Sequence, residues 1–219
     1  DFSGLDLDFN GEKINSKLLG KFNAYNLLSV WSACKLLSFD KEKVSKILEN
    51  VEPPKGRFEH FLSKNGVLVI VDYAHTPDAL EKVLSTAQEI KEKSASSADA
   101  PKRRIISVFG CGGDRDSSKR SKMGKIGARL SDIAIFTSDN PRSEDPEKII
   151  FEMQKDLNEE EKKKVITIID RRLSIGESME LAKMGDIILC AGKGHENYQE
   201  IKGVKTHFND MEEYRLITN

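Results

Sequence analysis

The side chains best suited to chemistry stand directly after short apolar runs of this 219-residue sequence. Aspartate and histidine follow the first run in the segment 72–78, and glycines with an arginine follow the second in 110–116. Ser-Asp-Asn-Pro-Arg follows the third at 138–142, and Ala-Gly-Lys-Gly-His-Glu follows the last at 191–196. Because ligands bind beyond the carboxyl ends of the strands in an open α/β sheet, we expect these segments to form one site.

The turn Asp139-Asn140-Pro141-Arg142 is the most informative of these segments. Pro141 favours an extended backbone at Asn140, so the turn should project its polar side chains from one rigid support. A guanidinium binds a carboxylate through two parallel hydrogen bonds, and carboxylate or amide oxygens accept from an ammonium group. This chemistry is suited to an amino acid, and the alternative is a simple turn with a surface arginine.

Arg115 and Glu196, from the neighbouring segments, bring the candidate set to two guanidinium and two carboxylate groups. That mixture favours a zwitterionic ligand, whereas the alternative is a solvated salt-bridge network at the sheet edge. His75 and His195 are a candidate acid–base or metal pair, with packed or backbone-bonded histidines as the alternative. Because no spacing of His, Asp or Glu resembles a zinc site, we expect no metal site in this chain.

The glycine clusters do not form a recognised phosphate-binding motif. Gly112-Gly113 could bring backbone N–H groups to an anion, or could simply turn a strand into a helix. Neither this cluster nor Gly192-Lys193-Gly194 has the spacing GxGxxG or GxxxxGK[ST]. We therefore expect no dinucleotide-binding or P-loop site.

The elements that must position these segments follow from hydrophobic periodicity. Short apolar runs rich in β-branched residues alternate with amphipathic helical patterns, which predicts a parallel sheet with helices on both faces. A hairpin turning at Lys202-Gly203 and a last helix at 210–217 should close this α/β unit. The predicted strands are 67–71, 105–109, 133–137, 165–169 and 187–190, and the predicted helices are 79–93, 119–131, 146–157 and 172–183.

The segment before residue 53 has a different pattern. It predicts a hairpin turning at Asn10-Gly11 after a strand at 2–9, a helix at 23–37, and a second helix capped by Asp40. Pro53-Pro54 cannot continue a helix, so we divide the chain into domains 1–52 and 53–219. Residues 1–50 are expected to pack poorly by themselves, and Ser94–Ala100 is predicted to be a mobile surface loop.

Composition excludes several classes of protein. The chain has 35 Lys and Arg against 36 Asp and Glu, which argues against a basic nucleic-acid-binding surface. No apolar run approaches the roughly 18 residues of a membrane span. The three cysteines, Cys34, Cys111 and Cys190, show no CxxC spacing, so we expect buried free thiols and a reducing, cytoplasmic location. The sequence begins at Asp1 rather than Met, which suggests a fragment or a processed protein.

Together these segments resemble the C-terminal part of the Mur ligase family, in the type that adds meso-diaminopimelate. The matching strings occur in the family's order and cover nearly the whole region after residue 52. A further string, Gly20–Asn26, resembles the end of the family's central ATPase domain. The strings are GRFE at 56–59, DYAHTPDAL at 72–80, FGCGGDRD at 109–116 with KR at 119–120, SDNPRSEDP at 138–146 and AGKGHENYQ at 191–199.

The resemblance implies a Rossmann-like C-terminal domain preceded by a remnant of the central ATPase domain. It also implies a reaction of peptidoglycan synthesis in which ATP and Mg²⁺ activate a carboxylate of UDP-MurNAc-L-Ala-D-Glu. The amine of meso-diaminopimelate then attacks the acyl phosphate. Cell shape and cell division depend on this synthesis. The family's P-loop and carbamylated lysine lie outside this chain, so we expect no catalytic residue here and no activity of the chain alone. A cytoplasmic monomer without nucleic-acid or membrane partners is expected.

Residue by residue, the resemblance gives two sets. In the family, an arginine at the position of Arg142 accompanies diaminopimelate as the substrate. Lysine has no second carboxylate to pair with a buried arginine at this position. We therefore predict that diaminopimelate is preferred over L-lysine. A non-catalytic Mur-ligase-like binding or regulatory protein, or a free-standing amino-acid-binding module, remains the alternative. The amino-acid set is Arg115, Asp139, Asn140, Pro141, Arg142, Gly192 and Glu196, and the ATP set is Asn26, Arg57, Asp72 and His75.

Overall fold

The computed structural model describes residues 2–93 and 103–218, so the mobile loop predicted at 94–100 lies outside the described residues. The elements are β1 (Leu5–Phe9), β2 (Glu12–Ser16), α1 (Lys21–Leu36), α2 (Lys41–Glu49), β3 (Glu59–Leu62), β4 (Leu68–Asp72), α3 (Pro77–Lys93), β5 (Ile105–Phe109), α4 (Arg120–Leu130), β6 (Ile133–Phe136), α5 (Pro146–Gln154), α6 (Glu159–Lys162), β7 (Val165–Thr167), α7 (Arg171–Leu181), β8 (Ile187–Ala191), β9 (Tyr198–Ile201), β10 (Val204–His207) and α8 (Asp210–Thr218). None of the helices in the described ranges is both long and apolar enough to cross a membrane.

A six-stranded sheet of order β3-β4-β8-β5-β6-β7 forms the centre of the α/β unit. All neighbouring strands are parallel except β3, which pairs antiparallel with β4 at one edge. Every residue of β4, β5 and β8 is buried, as expected for strands covered on both faces. The α/β class predicted from the sequence is therefore confirmed.

Helices cover both faces of this sheet with separate apolar cores. Leu80 of α3, Met123 of α4 and Ile149 of α5 belong to one core, and Ile175 of α7 with Tyr214 of α8 belongs to the other. The sequence pattern did not predict β3 or the short helix α6. The edge strand β3 lacks a continuous apolar run because its residues are at most half-buried, and α6 has four residues and depends on an Asn158 capping box.

The first fifty residues form a small unit of their own. The β1–β2 hairpin turns at Asn10-Gly11 as predicted, although β1 begins at Leu5 and not at Phe2. Asp40 accepts a hydrogen bond from the Lys43 N–H and caps α2 as predicted. A core that includes Trp31 packs under the hairpin, so these residues bury a small apolar cluster of their own. Nevertheless, part of the apolar surface of α1 and α2 stays exposed, including Leu36 and Ile47. The poor packing of residues 1–50 in isolation stays a prediction.

Candidate functional site

The carboxyl ends of β4, β8, β5 and β6 open into a cleft of about 580 Å³, which we call the acceptor cleft. These four strands are neighbours in the sheet, so the polar segments that follow them meet at one edge. Pro141 lies in the 138–142 turn, and its carbonyl oxygen accepts a hydrogen bond from the Glu144 N–H at 3.0 Å. Six of the seven residues predicted to bind the amino acid line the cleft: Arg115, Asp139, Asn140, Arg142, Gly192 and Glu196.

Asn140 and Glu196 are joined by a buried lysine that the sequence analysis did not select. Nδ2 of Asn140 donates to Oε2 of Glu196 at 2.8 Å, and Nζ of Lys193 donates to the same oxygen at 3.1 Å. Oδ1 of Asn140 accepts from Lys193 at 3.1 Å and from the Glu200 N–H at 2.9 Å. The amide of Asn140 is thus used within the protein, although both Asn140 and Glu196 line the cleft.

Arg142 enters the cleft from a left-handed backbone position, with φ of 51°. Its Nη1 donates to the carbonyls of Gly113 at 2.8 Å and Asn140 at 3.4 Å, and its Nε lies 3.9 Å from a carboxylate oxygen of Glu200. The guanidinium is thus partly paired within the protein even without a ligand carboxylate. Nη2 has no hydrogen-bond partner among the described residues, so this donor group remains for a ligand.

The other two charged groups differ in exposure. Arg115 is exposed and has no hydrogen-bond or ion-pair partner within residues 2–93 and 103–218. Asp139 is buried, and burial raises the pKa of its carboxyl although Arg171 and Lys193 oppose the shift. A side chain at position 192 would meet Oδ2 of Asp139 at 2.6 Å, so Gly192 permits this close approach.

The glycine cluster after β5 serves loop packing. A Cβ on Gly110 would lie 2.1 Å from the Thr137 carbonyl oxygen, and one on Gly113 would lie 2.0 Å from that of Pro141. The Gly113 N–H donates to the Asn140 carbonyl at 2.9 Å and is not free for an anion. For Gly113, the structure therefore favours a role in the turn over a role in binding an anion.

A buried arginine on α4 ties this glycine loop to the 138–145 turn. Arg120 donates to both oxygens of Glu144, to Glu152, and to the Gly112 carbonyl at 3.3 Å. The hydrogen bond from Arg120, with a second from the Asp114 N–H, lowers the pKa of Glu144 to about 2. Among the described residues, Nε of Arg120 has no partner, so its anchoring comes from the two terminal nitrogens.

A second buried arginine supports the loops that follow β6 and β8. Arg171 forms two hydrogen bonds with Asp210, at 2.7 and 2.8 Å, and both side chains are fully buried. It also donates to the carbonyls of Ala191 at 3.0 Å and Ser138 at 3.5 Å, the residues just before Gly192 and Asp139. The helices α7 and α8 thereby hold two of the loops that line the cleft.

A second cleft, of about 590 Å³, lies between α1, the 54–58 segment and α3. It contains Asn26, Arg57 and Asp72 of the predicted ATP set, but His75 lines the acceptor cleft. Both oxygens of Asp72 accept backbone N–H groups, at 2.8 Å each, while burial raises the pKa of its carboxyl. The wall of this second cleft is largely apolar and includes Phe22.

Tyr73 lines the acceptor cleft and contacts Arg57 of the second cleft. Its ring lies under the Arg57 guanidinium at 4.7 Å and near the rings of His75 at 4.6 Å and His195 at 5.1 Å. Nδ1 of His75 is hydrogen-bonded to the Tyr73 carbonyl, so the backbone-bonded interpretation fits this histidine. No group of three or more His, Cys, Asp or Glu side chains arranged to hold a metal ion is found in the described ranges.

Comparison with known proteins identifies the family. Residues 56–194 match the family described as "Mur ligase, glutamate ligase domain". The chain belongs to the Mur ligase family. This Mur ligase domain match begins at the glycine of the 56–59 motif and includes the turn with Arg142 and the loop with Lys193.

Individual relatives agree with this assignment. The chain is 49% identical over 207 residues to the UDP-N-acetylmuramoyl-L-alanyl-D-glutamate--2,6-diaminopimelate ligase of Cytophaga hutchinsonii, covering 94% of this chain and 41% of that protein. It is 48% identical to the ligase of the same name from Bacteroides thetaiotaomicron, covering 100% of this chain and 44% of that protein. A solved structure of such a ligase superimposes with a TM-score of 0.71 at 38% identity, covering 94% of this chain and 40% of the other. The chain thus spans less than half the length of these relatives.

Proposed function

We propose that this chain is the acceptor-binding domain of an ATP-dependent ligase that adds meso-diaminopimelate to UDP-MurNAc-L-Ala-D-Glu. The observation that carries the proposal is the acceptor cleft, in which Arg115 and Arg142 stand with Glu196 and Asp139. Diaminopimelate carries a carboxylate and an amine at each end, so two guanidinium groups match its charges. Lysine has a single carboxylate and would leave one of these groups without its ligand partner.

The same residues define what the chain contributes to amide formation. An ammonium group held by Glu196 has no free electron pair, so the attacking amine must be the other one of diaminopimelate. ATP supplies the phosphoryl group that turns the second substrate's carboxylate into an acyl phosphate with a good leaving group. The chain's own part is to hold the acceptor rigidly with its free amine directed outward, which lowers the entropic cost of attack.

We assign the nucleotide to the cleft with Asn26, Arg57 and Asp72, while His75 belongs to the acceptor side. The adjacent residues Asp72 and Tyr73 line different clefts, so the two ligands would be close neighbours. The proposal places residues 1–52 at the end of a central ATPase domain and 53–219 in the C-terminal domain. Mg²⁺ would be held outside the described residues of this chain.

The proposal includes a cytoplasmic, monomeric enzyme that serves peptidoglycan synthesis and therefore cell shape and division. A chimera tests the whole reaction: this chain replaces the matching 44% of the Bacteroides thetaiotaomicron relative. We expect ATP-dependent formation of UDP-MurNAc-tripeptide with meso-diaminopimelate, measured by mass spectrometry, and little product with L-lysine. A folded chimera that uses both amino acids equally, or neither, would contradict the proposal.

A further inference from the structure

Lys193 is a fully buried cation that the proposed reaction does not use directly. Its side chain has 0% exposure, and burying an ammonium group is costly unless the charge is paired and hydrogen-bonded. Here Nζ contacts Oε2 of Glu196 and Oδ1 of Asn140, each at 3.1 Å, and lies 5.5 Å from the centre of the Tyr198 ring. The cation is therefore paired with the carboxylate that faces the acceptor cleft.

The backbone holds this lysine in the interior. Glycines with positive φ, Gly192 and Gly194, flank it, and a Cβ on Gly194 would meet the Gly56 carbonyl oxygen at 2.6 Å. The Glu196 N–H donates to the Lys193 carbonyl at 2.9 Å, which closes a turn and places the two side chains next to each other. The tight contact with Gly56 keeps this turn against the protein.

The hydrogen bonds divide the two oxygens of Glu196 between protein and cleft. Oε2 accepts from Lys193 and from Nδ2 of Asn140, whereas no donor among the described residues reaches Oε1. The contact of Lys193 with Oδ1 of Asn140 also fixes the orientation of that amide, so that its Nδ2 points to Glu196. One oxygen is thus held by the protein and the other is left to a ligand.

We propose that Lys193 is a positioning residue that holds Oε2 of Glu196 and thereby directs Oε1 into the acceptor cleft to bind an ammonium group of the amino acid. This inference rests on the proposed function for the identity of the ligand, but not for the orientation of the carboxylate. Removing Lys193 should leave a half-buried carboxylate with Asn140 as its remaining donor.

The test uses Lys193→Met and Lys193→Gln, with Lys205→Met as the matched control. Lys205 lies over the same Tyr198 ring at 4.5 Å but is exposed and has no carboxylate contact among the described residues. Thermal melts first establish which variants fold, and the glutamine variant provides a folded alternative that removes the charge. Crystal structures of the ligand-free variants then show where the two oxygens of the Glu196 carboxylate lie.

We expect the Glu196 carboxylate to leave its observed position in both Lys193 variants and to keep it in Lys205→Met, because Lys193 holds Oε2. Calorimetry should show that meso-diaminopimelate binds about 10–100-fold more weakly to the Lys193 variants. In a Glu196→Gln background, Lys193→Met should add little further loss, because the lysine acts through that carboxylate. A purely structural lysine would not show this non-additivity.

Two results would overturn the inference: an unchanged position of the Glu196 carboxylate in the Lys193 variants, or an equal loss of binding with and without Glu196. A displaced carboxylate in a chain whose native form binds no diaminopimelate is a separate outcome. It would reject the proposed ligand and confirm the effect of Lys193 on the carboxylate.

Discussion

At the residue scale, the cleft depends on arginines and a lysine that are buried behind the groups facing the ligand. Arg120 fixes Glu144, Arg171 fixes the loop carbonyls, and Lys193 fixes Glu196. Burying such charges stabilises a site only when nearly every polar atom finds a partner. The groups that face the ligand are thus only part of what determines the geometry of the cleft.

Glu144 should contribute to stability in a pH-dependent way. Its pKa is lowered to about 2 from 4.5 by Arg120, so the folded state binds its proton less readily than the unfolded state. The stabilisation is present above about pH 4.5 and is lost as the pH falls toward 2. We expect Glu144→Gln to make the free energy of unfolding less steeply dependent on pH over this range.

Urea denaturation at several pH values measures this dependence. Glu160→Gln, on the exposed helix α6, is the control for removing one acidic side chain. An unchanged slope in Glu144→Gln would show that the ion pair with Arg120 does not contribute to acid sensitivity.

The sequence identified the residues that face the cleft but not those that support them. The Asp-Asn-Pro-Arg turn is a local pattern, so Arg142 could be selected without a structure. Lys193 stands between two glycines, which is typical of an exposed loop, and its burial comes from the contact of Gly194 with the distant Gly56. Such long-range packing leaves no local sequence signal. Arg171 likewise looks like an ordinary first residue of a helix.

At the element scale, α7 and α8 are joined by two adjacent ion pairs of different burial. Arg171–Asp210 is fully buried, whereas the Arg172 side chain of the Arg172–Glu213 pair is 61% exposed. Asp210→Ala leaves a buried guanidinium without its carboxylate and should cost about 3–5 kcal/mol of unfolding free energy. Glu213→Ala should cost under about 1 kcal/mol.

Chemical denaturation of both variants measures the difference. Equal losses would show that burial of Arg171 does not increase the contribution of its ion pair to the free energy of unfolding. Because Arg171 also holds the carbonyls of Ser138 and Ala191, the Asp210 variant should additionally bind the acceptor amino acid more weakly.

The approach of the loop after β5 to the 138–145 turn requires glycine. In Gly113→Ala, the new Cβ would lie 2.0 Å from the Pro141 carbonyl oxygen, so the backbone of one loop must move. We expect a loss of about 1–3 kcal/mol of unfolding free energy and weaker binding of the acceptor. Gly176→Ala, on α7 with no heavy atom within 4 Å of the new Cβ, should instead be neutral or stabilise by about 0.5–1 kcal/mol.

Thermal melts and calorimetry on these two variants test the contact. A Gly113→Ala chain that is as stable as the Gly176→Ala chain would contradict the packing argument.

Strand β3 could not be predicted from the sequence, because an edge strand needs no continuous apolar run. Its pairing with β4 is visible only in the folded sheet.

At the scale of the whole molecule, two clefts meet on either side of Asp72 and Tyr73. One has a largely apolar wall and the other is lined by charges of both signs. The alternation of strands and helices could be predicted along the chain, and it was enough to place four polar segments at one edge of the sheet. The division into two clefts, with His75 apart from Asn26, depends on three-dimensional packing.

The central claim is that the acceptor cleft recognises an amino acid with a second carboxylate through Arg142. Calorimetric titration of the chain with meso-diaminopimelate and with L-lysine tests it most directly, using Arg142→Ala and the remote control Arg129→Ala, whose side chain is paired with Glu81. We predict that the native chain and the Arg129 variant prefer diaminopimelate, and that Arg142→Ala weakens diaminopimelate binding by about 10–100-fold with little effect on lysine. Equal affinity of the native chain for both amino acids, or an unchanged preference in Arg142→Ala, would contradict the claim.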